Sequence, residues 1–329
     1  ATVVAFLHGQ ALPGQVVDPL VADPDGAVAL GDPMLDAWRH DRRDLCLMPG
    51  EQPDTRPEER LAELEQIMRQ ADLGERLLNS FTGSNVTVCT EEAYPLVHPT
   101  IALYRSKYDA AIVRVDEGLG EALISHAHEL RHADQDVRGL FRLVGEDGTA
   151  QNGLAMVFMV EADASAFATA VAWQLREAGQ PAAWDFAMGH DTFRPLAEAF
   201  EQAMRQVPEG AVASEANIRA GMRAAYNAWF DPGFQDLDYA LKLHEQLVTI
   251  PQSDRGEPVT IATMRRGLGQ LPGNADRASV SYLGLPEMER AIDRSRTLVP
   301  LTEPMPTDRL EGQRFVREDH AEGPKFARP

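Results

Sequence analysis

Leu123–Asp136 reads LISHAHELRHADQD, and the interpretation of the whole chain turns on it. His128, Glu129 and His132 form H-E-x-x-H. Residues four apart lie one above the other on a helix face. Two imidazoles at that spacing can share one metal ion, with nitrogen ligands at about 2.0–2.1 Å. Glu129 directly follows the first histidine, so it flanks the ion and can take a proton from water activated there. A chain with nine histidines shows this pattern by chance on the order of a few per cent of the time. The surrounding sequence must therefore decide.

That context is favourable. Glu121–Leu140 reads as a helix, entered from a hairpin in which Thr100–Tyr104 and Ala110–Val115 flank the polar turn Arg105–Asp109. Arg131 is charged where most such motifs are not, and is read as facing solvent. Asp134 and Asp136 are read as a solvated face. His126 points away from His128 on the helix and is given no ligand role.

A catalytic zinc site uses three protein ligands and leaves a fourth position open. A third histidine six residues after the second, preceded by a glycine, is one route; those positions hold Arg138 and Gln135, so it fails. A carboxylate from a second helix is the other. Leu154–Glu177 reads as a long Ala-rich helix containing MVFMVEADASAFA at 156–168. Glu161 stands there among apolar and small residues, where burial is costly unless the carboxylate is paired or metal-bound. Ala162, Ala164, Ser165 and Ala168 allow another helix to come close. Glu161 is the expected third metal ligand, with Asp163 orienting a ligand histidine through its other ring N–H. Two alternatives remain: Asp163 as ligand, or Glu161 in a salt bridge to a buried arginine.

The run H-E-L-R-H-A-D-Q at His128–Gln135, followed by E-A-D-A at Glu161–Ala164, resembles zincin metallopeptidases of the glutamate-ligand, gluzincin-like kind. More narrowly, it is similar to uncharacterised bacterial and phage metallopeptidase families. The resemblance covers residues 85–177, with a possible reach to 250. It implies a small antiparallel-containing sheet packed on the active-site helix and a glutamate-bearing helix. It implies Zn2+ as cofactor and hydrolysis of peptide bonds by zinc-activated water, with Glu129 as general base. It also implies that Ala110–Val115 borders the cleft, where a peptide adds to the sheet edge. Such enzymes usually add a Tyr or His that stabilises the oxyanion. Tyr226, Tyr239, His244 and His190 qualify; Tyr239 is preferred because it follows a break between helices at Ala228–Gly233.

Residues 1–54 carry Gly, Pro and Asp at short intervals and read as an extended, turn-rich arm. Thr55 and Glu58 form a capping box that opens a helix over 56–79, with a break expected at Gly74. Asn85–Cys89 is β-rich. Further helical patterns lie at 195–207, 214–230, 236–249, 260–268 and 286–296, before a charged, Pro-spaced tail from 301. The result is α+β, with a mainly helical second half: an arm (1–54), a catalytic domain (55–250), and short helices with a tail (251–329).

The 31 Lys+Arg and 51 Asp+Glu give a net charge of −20. A surface that acidic repels phosphate backbones and anionic membranes, which argues against nucleic acid and membrane partners and leaves a peptide or protein substrate. No segment reads as a membrane span. Cys46 and Cys89 are far apart and form no framework; reduced thiols and a cytoplasmic location are the simpler expectation, although one bridge, and a secreted or periplasmic setting, stay open. Oligomeric state is not legible. Two other functions compete. A di-iron carboxylate protein needs a second E-x-x-H, and the chain has only Glu129–His132. A non-catalytic binding or assembly protein on the same scaffold is the other.

Overall fold

The structure is a computed structural model that describes residues 43–93, 102–105, 109–116, 118–140, 150–207, 214–231, 268–273 and 281–298. The proposed helices at 236–249 and 260–268, the tail, and residues 1–42 of the arm lie outside them. The class is α+β: a small mixed sheet with mostly helical surroundings.

The expected arm is folded at its end. A 3-10 turn (Arg43–Leu45) leads into strand β1 (Cys46–Leu47), which pairs antiparallel with β2 (Thr87–Thr90). Cys46 and Cys89 face each other across that pairing and form a disulfide, correcting the expectation of reduced thiols. The Thr55 hydroxyl donates to the Asp44 carbonyl at 2.8 Å, tying this segment to the start of α1 (Arg56–Met68). The capping box is present: Thr55 Oγ1 accepts from the Glu58 amide, and Glu58 Oε2 accepts from the Thr55 amide. The next helix, α2 (Asp72–Ser80), starts after a break at 69–71, ahead of the expected Gly74. Gly74 is nevertheless the cause: a Cβ there would run into the Met68 carbonyl, so only glycine lets α2 begin against the end of α1.

Strands β3 (Ala102–Arg105) and β4 (Ala110–Val113) form the expected hairpin, with Asp109 at φ 46° in the turn. β4 also runs parallel to β2, and the sheet order is β1-β2-β4-β3. The strand preceding the motif is therefore internal. The expectation that a peptide adds to its edge fails, because both edges of β4 are already hydrogen-bonded. Among the described residues, the outer strand on that side of the sheet is β3.

Helix α3 (Leu119–Val137) carries the motif and packs against β3, β4 and α4 (Ala150–Glu177). From Ala155 to Ala172 every residue of α4 is buried. Its Ala155–Glu177 stretch is long and apolar enough to cross a membrane, a length the sequence reading did not register, but here it forms the core. Around it lie α5 (Ala182–Gly189), α6 (Arg194–Arg205), α7 (Glu215–Trp229) and α8 (Leu285–Leu298). The sequence reading missed α5. Gly179, at φ 86°, ends α4, and Pro181 then stands at the N-cap position of the new helix. A Cβ at Gly120 would collide with the Ala182 carbonyl, so glycine permits α3 and α5 to meet. Trp173 and Trp184 stack edge-on at 5.1 Å, and the Arg176 guanidinium lies 3.7 Å from the Trp173 ring.

Glu65 on α1 is buried. Its Oε2 accepts from the Gly50 amide at 3.2 Å, while Oε1 has no hydrogen-bond partner among the described residues. Burial pushes its pKa up from 4.5 to about 7, partly offset by the Gly50 amide and by Arg69. The unfolded chain loses this proton first as pH rises. Its contribution to stability is therefore complete below 4.5 and is lost as pH climbs toward about 7. Glu65→Gln should leave stability at pH 4 nearly unchanged and raise it at pH 8 on the order of 1–3 kcal/mol. Urea unfolding at both pH values checks this; an equal effect at both would contradict it.

Candidate metal centre

His128 and His132 are one helical turn apart on α3, fully buried, with their Nε2 atoms 2.9 Å apart and their rings edge-on at 84°. Glu161 on α4 faces both. Its Oε2 lies 3.4 Å from His128 Nε2 and its Oε1 3.5 Å from His132 Nε2. Ligands at about 2.05 Å around a tetrahedral ion stand about 3.3 Å from one another. The three separations bracket that value, so two imidazoles and a carboxylate are arranged as a metal would need. These donors could hold an ion with little movement.

The electrostatics agree with that arrangement. Burial alone would raise the Glu161 pKa, but the facing histidines outweigh it and hold the value down to about 2. The carboxylate is thus charged and available. Burial and the neighbouring His132 lower the pKa of His128. His132 titrates above its usual range, because Glu161, Glu129 and Gln135 overcome its burial. Glu129 is also buried, one oxygen accepting the Tyr104 amide of the outer strand and Oε2 having no hydrogen-bond partner among the described residues. Burial pushes its pKa up to about 8; His132 pulls it down and Glu161 adds to the rise. A carboxylate with a pKa near neutrality is suited to accept and return a proton.

Behind the histidines is a second polar layer. Gln135 Oε1 lies 2.8 Å from His132 Nδ1. Its Nε2 donates to the Val160 carbonyl at 3.0 Å and to Asp163 Oδ2 at 2.8 Å. Arg131 Nε donates to the same Asp163 oxygen at 2.9 Å, and the Tyr282 hydroxyl donates to Asp163 Oδ1 at 2.7 Å. Arg131 also pairs with Asp134, whose other oxygen accepts Arg138 Nε at 3.0 Å.

Several expectations change here. Arg131 does not face solvent: it is fully buried between two aspartates, with its guanidinium 5.2 Å from the Phe167 ring centre. Asp134 is buried with it, and Asp136 accepts the Tyr104 hydroxyl at 2.9 Å. Asp163 is not hydrogen-bonded to a histidine; Gln135 is, and Asp163 holds Gln135. Gln135 was visible in the sequence as the residue three after His132, on the same helix face. Tyr282 carried no sequence signal.

Among the oxyanion candidates, Tyr239 and His244 lie outside the described residues. His190 packs on Phe186 and Phe193 and accepts the Thr192 amide at 3.3 Å, a structural role at the end of α5. Tyr226 is buried, and its hydroxyl has no hydrogen-bond partner among the described residues. Its pKa is pushed up by burial and by Asp163 and Glu287. His126 is buried, and burial lowers its pKa to about 4, so it is neutral at physiological pH.

Removing one partner from a buried ion pair strands the other charge. Arg131→Met should destabilise the protein by about 3–5 kcal/mol, read as a fall in the urea midpoint. A loss below about 1 kcal/mol, the range of exposed pairs, would contradict the buried network.

A family model described as "Putative metallopeptidase family (DUF6782)" matches residues 38–273, which include His128, Glu129, His132, Glu161 and Asp163. No curated protein and no solved structure matches the chain. The model spans well over half of the sequence, and the chain belongs to this metallopeptidase family.

Proposed function

We propose that the protein is a zinc-dependent peptidase of the zincin kind, with His128, His132 and Glu161 as metal ligands and Glu129 as general base. The observation that carries this reading is the buried triangle of two Nε2 atoms and one carboxylate at tetrahedral separations, with Glu129 alongside. Two imidazoles and one carboxylate, with a fourth position open, form the donor set of a catalytic zinc site. A zinc ion held there supplies Lewis acidity, which makes water more acidic and polarises a peptide carbonyl.

The remaining steps belong to the chain. Glu129 takes the proton of the attacking water and returns it to the leaving amine. Its burial favours the protonated form it must pass through. The Tyr104 amide fixes one of its oxygens and leaves Oε2 for the proton. β3, the outer strand beside Glu129, is where a peptide main chain would align. Tyr239 is the proposed oxyanion stabiliser; Tyr239→Phe should lower kcat while leaving KM near the parent value. The Cys46–Cys89 bridge favours an oxidising compartment over the cytoplasm.

Metal analysis combined with a peptide-library assay tests the reading. The parent should hold one zinc per chain and cleave peptides. Glu129→Gln should keep the zinc and lose about 10²–10⁴ in rate, the usual worth of a general base. Glu161→Ala should lose or greatly weaken zinc binding. A parent that binds zinc and cleaves nothing, or a Glu129→Gln variant with full turnover, would overturn the reading in favour of a binding protein on this scaffold.

A further inference from the structure

We propose that Gln135 is a positioning residue that keeps His132 protonated on Nδ1, and that Asp163, Arg131 and Tyr282 serve to hold Gln135 in that orientation. This deepens the peptidase reading and rests on it for the identity of the ion.

The Gln135 amide has an NH2 end and a carbonyl end, and its partners decide which points where. One end meets the Val160 carbonyl at 3.0 Å and Asp163 Oδ2 at 2.8 Å. A carbonyl oxygen and a carboxylate oxygen that already takes the Arg131 guanidinium can only accept, so that end is the NH2. The carbonyl end then faces His132 Nδ1 at 2.8 Å, and Nδ1 must donate. In neutral imidazole a proton on Nδ1 leaves a lone pair on Nε2. Nε2 is the atom directed at Glu161 and at His128 Nε2. Gln135 therefore selects the tautomer in which His132 can ligate.

The outer residues explain why the amide does not flip. Flipping would turn its oxygen toward Asp163 and Val160. Asp163 is fixed from three directions: Gln135, the Arg131 guanidinium, and the Tyr282 hydroxyl on the opposite oxygen. Burial, together with Asp163, keeps the Tyr282 phenol protonated well above the usual range, so it remains a donor. The Tyr282 amide is bonded to the Gly269 carbonyl at 2.9 Å, which seats the residue in the fold. A segment 119 residues from Asp163 thus takes part in orienting a metal ligand.

The test uses the metal-free full chain with ¹⁵N-labelled histidine, at a pH above the His132 titration so that the ring is neutral, and a zinc titration against a competing chelator. Two-bond ¹H–¹⁵N correlation spectra report which ring nitrogen carries the proton, and His132→Gln assigns the signal. The parent should show His132 protonated on Nδ1. Gln135→Met, which keeps the volume and removes both hydrogen-bonding ends, should show a tautomer mixture and bind zinc about 10–100-fold more weakly. Tyr282→Phe removes one hydroxyl, keeps the fold if Gln135→Met does not, and should weaken zinc binding to a smaller extent. An Nε2-protonated His132 in the parent would overturn the proposal. So would a folded Gln135→Met with parental tautomer and zinc affinity, or, should that variant not fold, a Tyr282→Phe with parental zinc affinity. The tautomer is read without metal, so a parent that binds no zinc refutes the peptidase reading and leaves this measurement intact.

Discussion

The structure depends on keeping charge inside a low-dielectric core. Helices α3 and α4 meet through polar side chains, and nearly every residue from Ala122 to Gln135 is buried. Isolated, those charges would each cost several kcal/mol or more. They are arranged instead in two layers. Toward one side, Glu161 faces His128 and His132. Toward the other, Arg131 balances Asp134 and Asp163. Gln135 spans the two layers, with one end on the histidine and the other on the aspartate.

This arrangement explains why the site needs so much of the fold. The sheet supplies the Tyr104 amide to Glu129 and the Tyr104 hydroxyl to Asp136, so β3 holds α3 at two points along its length. The small residues of α4 let a carboxylate reach across to the imidazoles. Tyr282, ahead of α8, closes the far side of Asp163. A donor set built this way is preorganised: binding an ion would require little reorganisation of side chains already held by hydrogen bonds.

The sequence made legible what depends on local spacing. His128 and His132 needed only the four-residue helical repeat, Glu161 only its apolar neighbours, and Thr55–Glu58 only the capping pattern. Pairings made across distance were not legible. Arg131 looked like a solvent-facing charge because a helix rich in polar residues reads as exposed on one side; its counterions sit three and thirty-two residues away, the nearer one misread with it. The parallel pairing of β2 with β4 has no residue signal, which leaves β4 looking like an edge; the β1–β2 pairing that brings Cys46 to Cys89 has none either, so the bridge is only one of two readings in the sequence. Helix α5 is not legible because AAWDFAMG is apolar nearly throughout and lacks helical periodicity.

The central claim is that His128, His132 and Glu161 bind one catalytic ion between α3 and α4. A crystal structure of the zinc-loaded protein, with anomalous scattering collected at the zinc edge, tests it most directly. The account predicts a single strong peak bonded to His128 Nε2, His132 Nε2 and a Glu161 oxygen at about 2.0–2.2 Å, with a fourth position open. A peak held by other residues, or with Asp163 in place of Glu161, would contradict it.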